Sequence, residues 1–213
     1  MLAELKTGMV QAGDGSISVA RAGRFGEVIT GEAAGKYHEF AKQGRIFCAS
    51  QQAGAVAGIA LTNTAVTVTL YNPSGSGVNL SWLQTAISFT ALQTTTNTHE
   101  VLVYAATPDP TFAIPTGQTQ LTVRPALIGA PYTSMGRAFS AATTPSPAPV
   151  VVRIFPLSAH CETTQLAEWG LSATDYVDGA LVLGPNTSVT IQELATTTQA
   201  TAIISLVWAE IPI

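Results

Sequence analysis

The sequence predicts a mainly β protein, a jelly-roll or other β-sandwich that is preceded by an extended amino-terminal arm and one short helix. After Gly44, short segments alternate between apolar and polar residues with the period of two that a strand requires. Turn residues follow these segments, as in Asn72–Gly75 and Gly184–Asn186. Many short strands at close, roughly even spacing are typical of sandwiches and jelly rolls and do not fit βαβ units.

Residues 1–45 are predicted to form the arm and residues 46–213 the sandwich. The stretch from Gly8 to Gly31 is rich in glycine and has no sustained apolar period, so its side chains cannot offset the entropy that ordering would cost. From Glu32 to Gln43 the apolar positions fall on one helical face, and Gly44 stands where a helix would end. We therefore expect an arm that does not fold on its own, followed by one short helix.

The strands of the sandwich follow from the same alternation. Val66, Val68 and Leu70 alternate with Thr67 and Thr69, which predicts a strand with one apolar face and one hydroxyl face. The full set of predicted strands is Arg45–Ser50, Ala55–Leu61, Ala65–Tyr71, Val78–Phe89, Glu100–Ala106, Gln118–Arg124, Gly136–Ser140, Val150–Phe155, Ala180–Leu183, Ser188–Glu193 and Thr201–Ile211.

Charged residues are unusually scarce in this chain. They make up 10% of it, against about 25% in typical soluble domains, and none occurs between Ile46 and His99. The strand edges of monomers are usually guarded by charge or proline. A chain without such guards is either a plain sandwich with a Thr-rich outer face or a sandwich that a partner covers. We favour the covered surface and place Thr67 and Thr69 at a subunit interface.

Composition also argues against two classes of partner. The formal net charge of −4 gives no basic field for nucleic acid, and no groove of interleaved arginine and aromatic residues is present. No apolar run reaches the roughly 18 to 20 residues that cross a bilayer. The amino terminus lacks a basic region followed by an apolar block. We therefore expect no nucleic acid and no membrane as partner, and synthesis in a cytoplasm.

The motifs of common catalytic sites are missing from the sequence. There is no Gly-x-Ser-x-Gly turn, and Cys161 follows His160 directly, so the two side chains would point to opposite sides of an extended strand. The histidines have no spacing typical of metal ligands. We therefore predict no catalytic residue, no cofactor and no metal site, and expect that the protein is not an enzyme.

The three tryptophans differ in their surroundings. Trp82 and Trp208 lie within apolar strands and are predicted to belong to the core. Trp169 lies in the polar stretch Gln165–Gly170, where an exposed ring could stack on a sugar. Trp169 is therefore the candidate for a ligand contact.

The carboxy-terminal segments Asp178–Pro185 and Ser205–Pro212 look like the end of small virion proteins of tailed bacteriophages. The pattern Gly23–Glu27 and the turn Tyr71–Gly77 add to the likeness. The chain thus resembles capsid decoration, or cement, proteins with a jelly-roll head. The resemblance implies a homotrimer on the virion surface that bridges neighbouring subunits of the major capsid protein.

In such proteins the arm reaches over neighbouring shell subunits. The resemblance therefore implies that Arg21, Arg24 and Phe25 contact the capsid, with synthesis in the host cytoplasm. Two other functions are compatible with the same pattern of short strands. One is a tail-fibre or receptor-binding head that recognises a host glycan, and the other is a metal-dependent enzyme of cupin type.

Overall fold

The computed structural model describes residues 35–56, 66–91, 98–108, 119–142, 147–161, 172–194 and 201–213. The chain divides into two units, Met1–Glu39 and Phe40–Ile213. The second unit contains every strand described here. Residues 1–34 of the predicted arm lie outside the described residues, and residues 35–45, which include the short helix, are described.

The described elements are one helix and twelve strands. The helix, α1, is His38–Lys42. The strands are β1 Ile46–Ser50, β2 Ala55–Val56, β3 Val66–Asn72, β4 Val78–Ala91, β5 Thr98–Pro108, β6 Thr119–Gln120, β7 Val123–Pro125, β8 Arg137–Ala142, β9 Val150–Cys161, β10 Ser172–Leu183, β11 Thr187–Leu194 and β12 Thr201–Pro212.

The strands form two antiparallel sheets, which confirms the predicted mainly β class and its sandwich. The first sheet has the order β10-β4-β12-β1-β7, and β2 also pairs with β12. The second sheet has the order β6-β8-β3-β11-β5-β9. Strands that follow one another in the chain often lie in different sheets, so the connections cross repeatedly between the two layers.

The core lies between the sheets and is built from residues at alternate strand positions. On β12, Ala202, Ile204, Leu206 and Trp208 are buried, while the residues between them are only half-buried. Trp208 and Trp82 have no exposed surface, as the sequence predicted. Aromatic rings join the two layers, since the Trp82 ring meets the Tyr104 ring edge-on at 5.5 Å between centroids. Such pairs contribute about 0.5–1.5 kcal/mol beyond the area they bury.

The helix is shorter in the structure than predicted, and the predicted stop at Gly44 is confirmed. Residues 32–34 of the predicted Glu32–Gln43 lie outside the described residues, and α1 ends at Lys42. Gly44 follows with φ +70°, a left-handed conformation that favours glycine. The ring of Tyr132 fills the space where a Cβ of residue 44 would stand. The Tyr132 hydroxyl also donates a hydrogen bond to the Lys42 carbonyl at 3.1 Å, which fixes the chain just before β1.

Three predicted strands differ from the structure, and residues 57–61 of a fourth, Ala55–Leu61, lie outside the described residues. Val150–Phe155 is only the first half of β9, which continues to Cys161. Gln118–Arg124 is interrupted, because Leu121 turns into the core between β6 and β7 and its amide donates to the Ala138 carbonyl. Ala180–Leu183 is only the end of β10, which begins at Ser172. A bulge at Asp178 and Gly179, both with positive φ, shifts the register of β10 against β4 between Tyr176 and Leu181.

Candidate interaction surface

The uncharged segment from Ile46 to His99 contributes three strands to the two sheets that the structure describes, besides the short β2 and the start of β5. On the first sheet, β1 and β4 flank β12, and the outward side chains of these three strands form what we call the uncharged face. Register places Ala86 beside Ser205 and Val207 beside Cys48. Its members are Cys48 and Ser50 on β1, Gln84, Ala86 and Ser88 on β4, and Ile203, Ser205 and Val207 on β12.

The uncharged face carries no charged side chain. Its side chains are small or neutral, and most are half-buried by their neighbours within the sheet. The charged residues nearest in the described strands lie at its borders, with Arg124 opposite Cys48 on β7 and Asp178 in the bulge of β10. A face of this kind can approach another protein surface closely without desolvating a charge.

Cys48 lies on this face and is free. Its thiol donates a weak hydrogen bond to the Arg124 carbonyl at 3.5 Å. Burial raises the pKa of the Cys48 thiol above its ordinary value, so the thiol stays protonated at neutral pH. A protonated, partly covered thiol is a poor nucleophile, which fits a packing role for this side chain.

The predicted interface residues lie on the second sheet. Thr67 belongs to β3, and its side chain lies outside what the structure describes. Thr69 is 1% exposed, and its hydroxyl has no hydrogen-bond partner. Thr190 and Thr107 stand on the same face of the sheet and are equally buried, since register links Thr69 to Thr190 and Ser188 to Thr107. The burial of Thr69 is complete within a single chain, and its role at a subunit interface stays a prediction.

A buried ion pair joins the edges of the two sheets. The Arg153 guanidinium on β9 donates two hydrogen bonds to the Asp175 carboxylate on β10, from Nε at 3.1 Å and from a terminal nitrogen at 2.9 Å. The Tyr104 hydroxyl on β5 donates a third at 2.9 Å. Asp175 is 4% exposed, so these donors replace the water that its charge has lost.

The chemistry of this cluster is that of a structural contact. Burial, followed by the bond to Asp175 and its charge, raises the pKa of the Tyr104 hydroxyl well above the ordinary tyrosine value, which keeps it neutral. The hydrogen bond to Asp175 raises the pKa of Arg153, which keeps it charged. Neither Tyr104 nor Arg153 is therefore poised to exchange a proton near neutral pH, as a general acid or base must. This cluster could not be predicted from the sequence, because Asp175 lies 22 positions from Arg153.

A second buried carboxylate holds the loop between β7 and β8. Glu210 near the end of β12 accepts hydrogen bonds from the Ser134 hydroxyl and from the amides of Met135 and Gly136. The Trp208 indole donates to the same oxygen at 3.4 Å. These neutral donors satisfy the charge, so Glu210 fixes a loop and is not available to a ligand.

Exposed apolar side chains gather in the loop held by Glu210, which exposes Leu127, Ile128, Tyr132 and Met135. The outer strands expose others, but on different sheets: Val150, Val151, Val152 and Ile154 stand on β9 of the second sheet, and Tyr176 and Val182 on β10 of the first. Concentrated apolar surface of this kind marks sites of protein contact more often than isolated exposed residues do.

The other predicted site residues lie outside the described part of the chain. Arg21, Arg24 and Phe25 belong to the arm, and Trp169 belongs to the connection between β9 and β10. Their assigned contacts stay predictions. One placement could not be read from the sequence, since register puts His99 on β5 opposite His160 on β9. Within the described ranges no group of three or more metal-binding side chains occurs, and α1 is too short to span a membrane.

The chain matches none of the protein-family models, curated proteins or solved structures with which it was compared. An assignment of function therefore depends on the chain's own residues and on the surfaces they form.

Proposed function

We propose that this chain is a structural virion protein that decorates and stabilises a phage capsid. In this function a homotrimer sits on the capsid surface and bridges neighbouring subunits of the major capsid protein. The observation that carries the proposal is the uncharged face, on which all outward side chains of three neighbouring strands are uncharged. A surface of that kind gains stability from being covered, and a shell offers many identical places where it can be covered.

The order of the strands supports a jelly-roll head within this proposal. Eight strands pair as β1 with β12, β3 with β11, β4 with β10 and β5 with β9. The first of the eight thus pairs with the last, the second with the seventh, and so on inward, as in a ribbon that is folded over and rolled into two sheets. The three remaining short strands after β5, which are β6, β7 and β8, extend the edges of this arrangement.

The buried polar groups support a role without catalysis. The Arg153–Asp175 pair and Glu210 are satisfied inside the sandwich, where they join sheet edges and hold a loop. Neither cluster lines a cleft with a free nucleophile or base in the part of the chain that is described. A shell protein needs such internal fixation, because its task is to keep its shape while it spans its neighbours.

The proposal is tested on virions of the phage that carries this chain. Gel densitometry of purified particles should find the chain in an amount comparable to the major capsid protein, and labelled antibody should bind around the whole head. Capsids stripped of the chain should rebind it and should resist heat or low salt better afterwards. A scarce chain that labels only the tail would overturn decoration and favour the receptor-binding head.

A further inference from the structure

An open cleft lies beside the loop that Glu210 holds. One wall is the segment from Gln120 to Val123, which joins β6 to β7, and the other is formed by residues between Tyr132 and Arg137, at the end of the β7–β8 loop. The cleft has a volume of about 480 Å³, which is within the range of about 300–1,000 Å³ that ligand pockets usually have. We call it the Arg137 cleft.

Both walls of the Arg137 cleft are fixed to the body of the sandwich. Leu121 is buried, and its amide donates to the Ala138 carbonyl at 2.9 Å, which holds the first wall. The second wall is held by the Glu210 carboxylate, to which the amides of Met135 and Gly136 donate hydrogen bonds. A cleft with fixed walls does not have to order its own segments when it binds, and this favours binding.

The residues that line the cleft carry one charge, which is that of Arg137. Arg137 is exposed, and within the described ranges it forms no ion pair. The exposed side chains of Gln120, Thr122 and Thr133 add neutral hydrogen-bonding groups to the same cleft. A guanidinium without a partner carboxylate recognises that group well, because it can donate to both carboxylate oxygens at once. The cleft therefore fits a ligand that presents a carboxylate.

The apolar side chains beside the cleft indicate that the carboxylate belongs to a protein. Tyr132, which lines the cleft, is 41% exposed, and Met135, which stands between two lining residues, is 54% exposed. Arginine, tyrosine and methionine are residue types that are enriched where proteins meet. A free small acid could pair with Arg137 but would leave these apolar side chains in water. A protein segment that carries an acid beside apolar residues would use both features.

We propose that the Arg137 cleft docks an acidic segment of a partner protein, with an aspartate or glutamate side chain bound by Arg137 and its apolar neighbours packed on Tyr132 and Met135. In the proposed function that partner is a subunit of the major capsid protein, so the choice of partner rests on that function. The cleft would supply a contact of defined geometry, because a guanidinium and a carboxylate pair in a fixed orientation.

The test measures rebinding to stripped capsids with two charge-matched variants. Arg137→Gln removes a positive charge from the cleft, whereas Arg124→Gln removes one from β7, where the exposed Arg124 does not line the cleft. Arg137→Gln should raise the concentration needed for half occupancy by about tenfold, since hydrogen bonds to charged groups are strong. Arg124→Gln should change that concentration by less than about threefold. The gap between the two variants should narrow at high salt, which screens exposed charges.

A second pair of variants tests the cleft from its other wall. Thr122→Glu places a carboxylate in the cleft and should also weaken rebinding by about tenfold, because like charges repel an incoming acid. Thr174→Glu is the control, since it adds the same charge at an exposed position of β10. Urea unfolding establishes that each variant is folded. Free glutamate, followed by NMR shifts of the residues that line the cleft, should bind no more tightly than at millimolar concentration.

The outcomes separate docking in the cleft from decoration. If the wild type rebinds and Arg137→Gln rebinds as well as Arg124→Gln, the cleft is not the docking site and decoration stands. The same conclusion follows if Thr122→Glu rebinds as well as Thr174→Glu. Binding of free glutamate at micromolar concentration would make the cleft a site for a small acid and would overturn the protein partner. A wild type that does not rebind stripped capsids overturns both decoration and the capsid as the partner of the cleft.

Discussion

Replacing Arg153 by alanine tests how the two sheet edges are joined. The change removes both hydrogen bonds from the guanidinium to the Asp175 carboxylate, at 3.1 Å and 2.9 Å. Asp175, which is 4% exposed, then keeps only the Tyr104 hydroxyl as a donor. The carboxylate charge stays buried with one of its three donors, so the folded state loses stability while the unfolded state is unaffected.

The magnitude follows from how far the pair is buried. Removing one partner of a fully buried ion pair costs about 3–5 kcal/mol. The Arg153 side chain is 36% exposed, so water reaches the space that alanine leaves and part of the loss is recovered. We therefore expect Arg153→Ala to lower the free energy of unfolding by about 2–3 kcal/mol. Adding Asp175→Asn to this variant should cost less than the separate losses predict, since the two residues are coupled.

Urea unfolding at one fixed protein concentration, followed by tryptophan fluorescence, measures these changes. Arg137→Ala is the matched control, because Arg137 is exposed at the start of β8, and it should change the free energy by less than about 0.5 kcal/mol. If Arg153→Ala unfolds within that same margin, the buried pair does not stabilise the fold and the reasoning from its geometry is refuted.

Three further predictions concern other parts of the chain. Glu210→Ala leaves the amide donors of the β7–β8 loop without an acceptor. It should therefore lower the free energy of unfolding by about 2–3 kcal/mol in the same urea assay. An unchanged urea midpoint would contradict this. The raised pKa of Tyr104 means that the folded state resists ionisation, so stability should be complete below the ordinary value of 10.0 and fall as pH rises above it. Tyr104→Phe should flatten that fall, and an identical slope in both proteins would exclude Tyr104 as its source. Deleting residues 1–30 should leave the melting temperature nearly unchanged and abolish capsid binding. Full occupancy of the capsid by the truncated protein would exclude the arm as the anchor. Replacing both Arg21 and Arg24 by alanine should weaken capsid binding most at low salt, because salt screens exposed ion pairs.

Much of the sandwich was predictable because its strands alternate cleanly. The segment Thr201–Ile211 reads as one strand, and β12 is Thr201–Pro212. The prediction fell short where a strand contains acids. Asp175 and Asp178 look like turn residues in the sequence, since carboxylates are unfavourable inside a strand. Arg153 neutralises Asp175 from another sheet, and a bulge accommodates Asp178, and neither compensation is local in sequence.

The uncharged face could be predicted only in part. No charge occurs from Ile46 to His99, and two of the three strands of the face, β1 and β4, come from that segment, whereas β12 does not. That a partner covers the face stays a prediction. The strands that end each sheet could not be located, because alternation does not tell which strands are outermost. A signal was present in retrospect, since Pro156 lies within β9, which ends the second sheet. Edge strands tolerate an internal proline, whereas central strands do not.

The distribution of charge explains why the sandwich should associate through its strands and not through its loops. Lys42, Arg45 and Arg137 stand near the Glu210 end, where Tyr132 binds the Lys42 carbonyl, the Glu210 amide donates to the Arg45 carbonyl, and Arg137 follows the bound Gly136. Two copies meeting through this end would bring like charges together, which is unfavourable. The uncharged face carries no such penalty. Association of identical copies should therefore use the strands, leaving the basic end free for a partner that presents carboxylates.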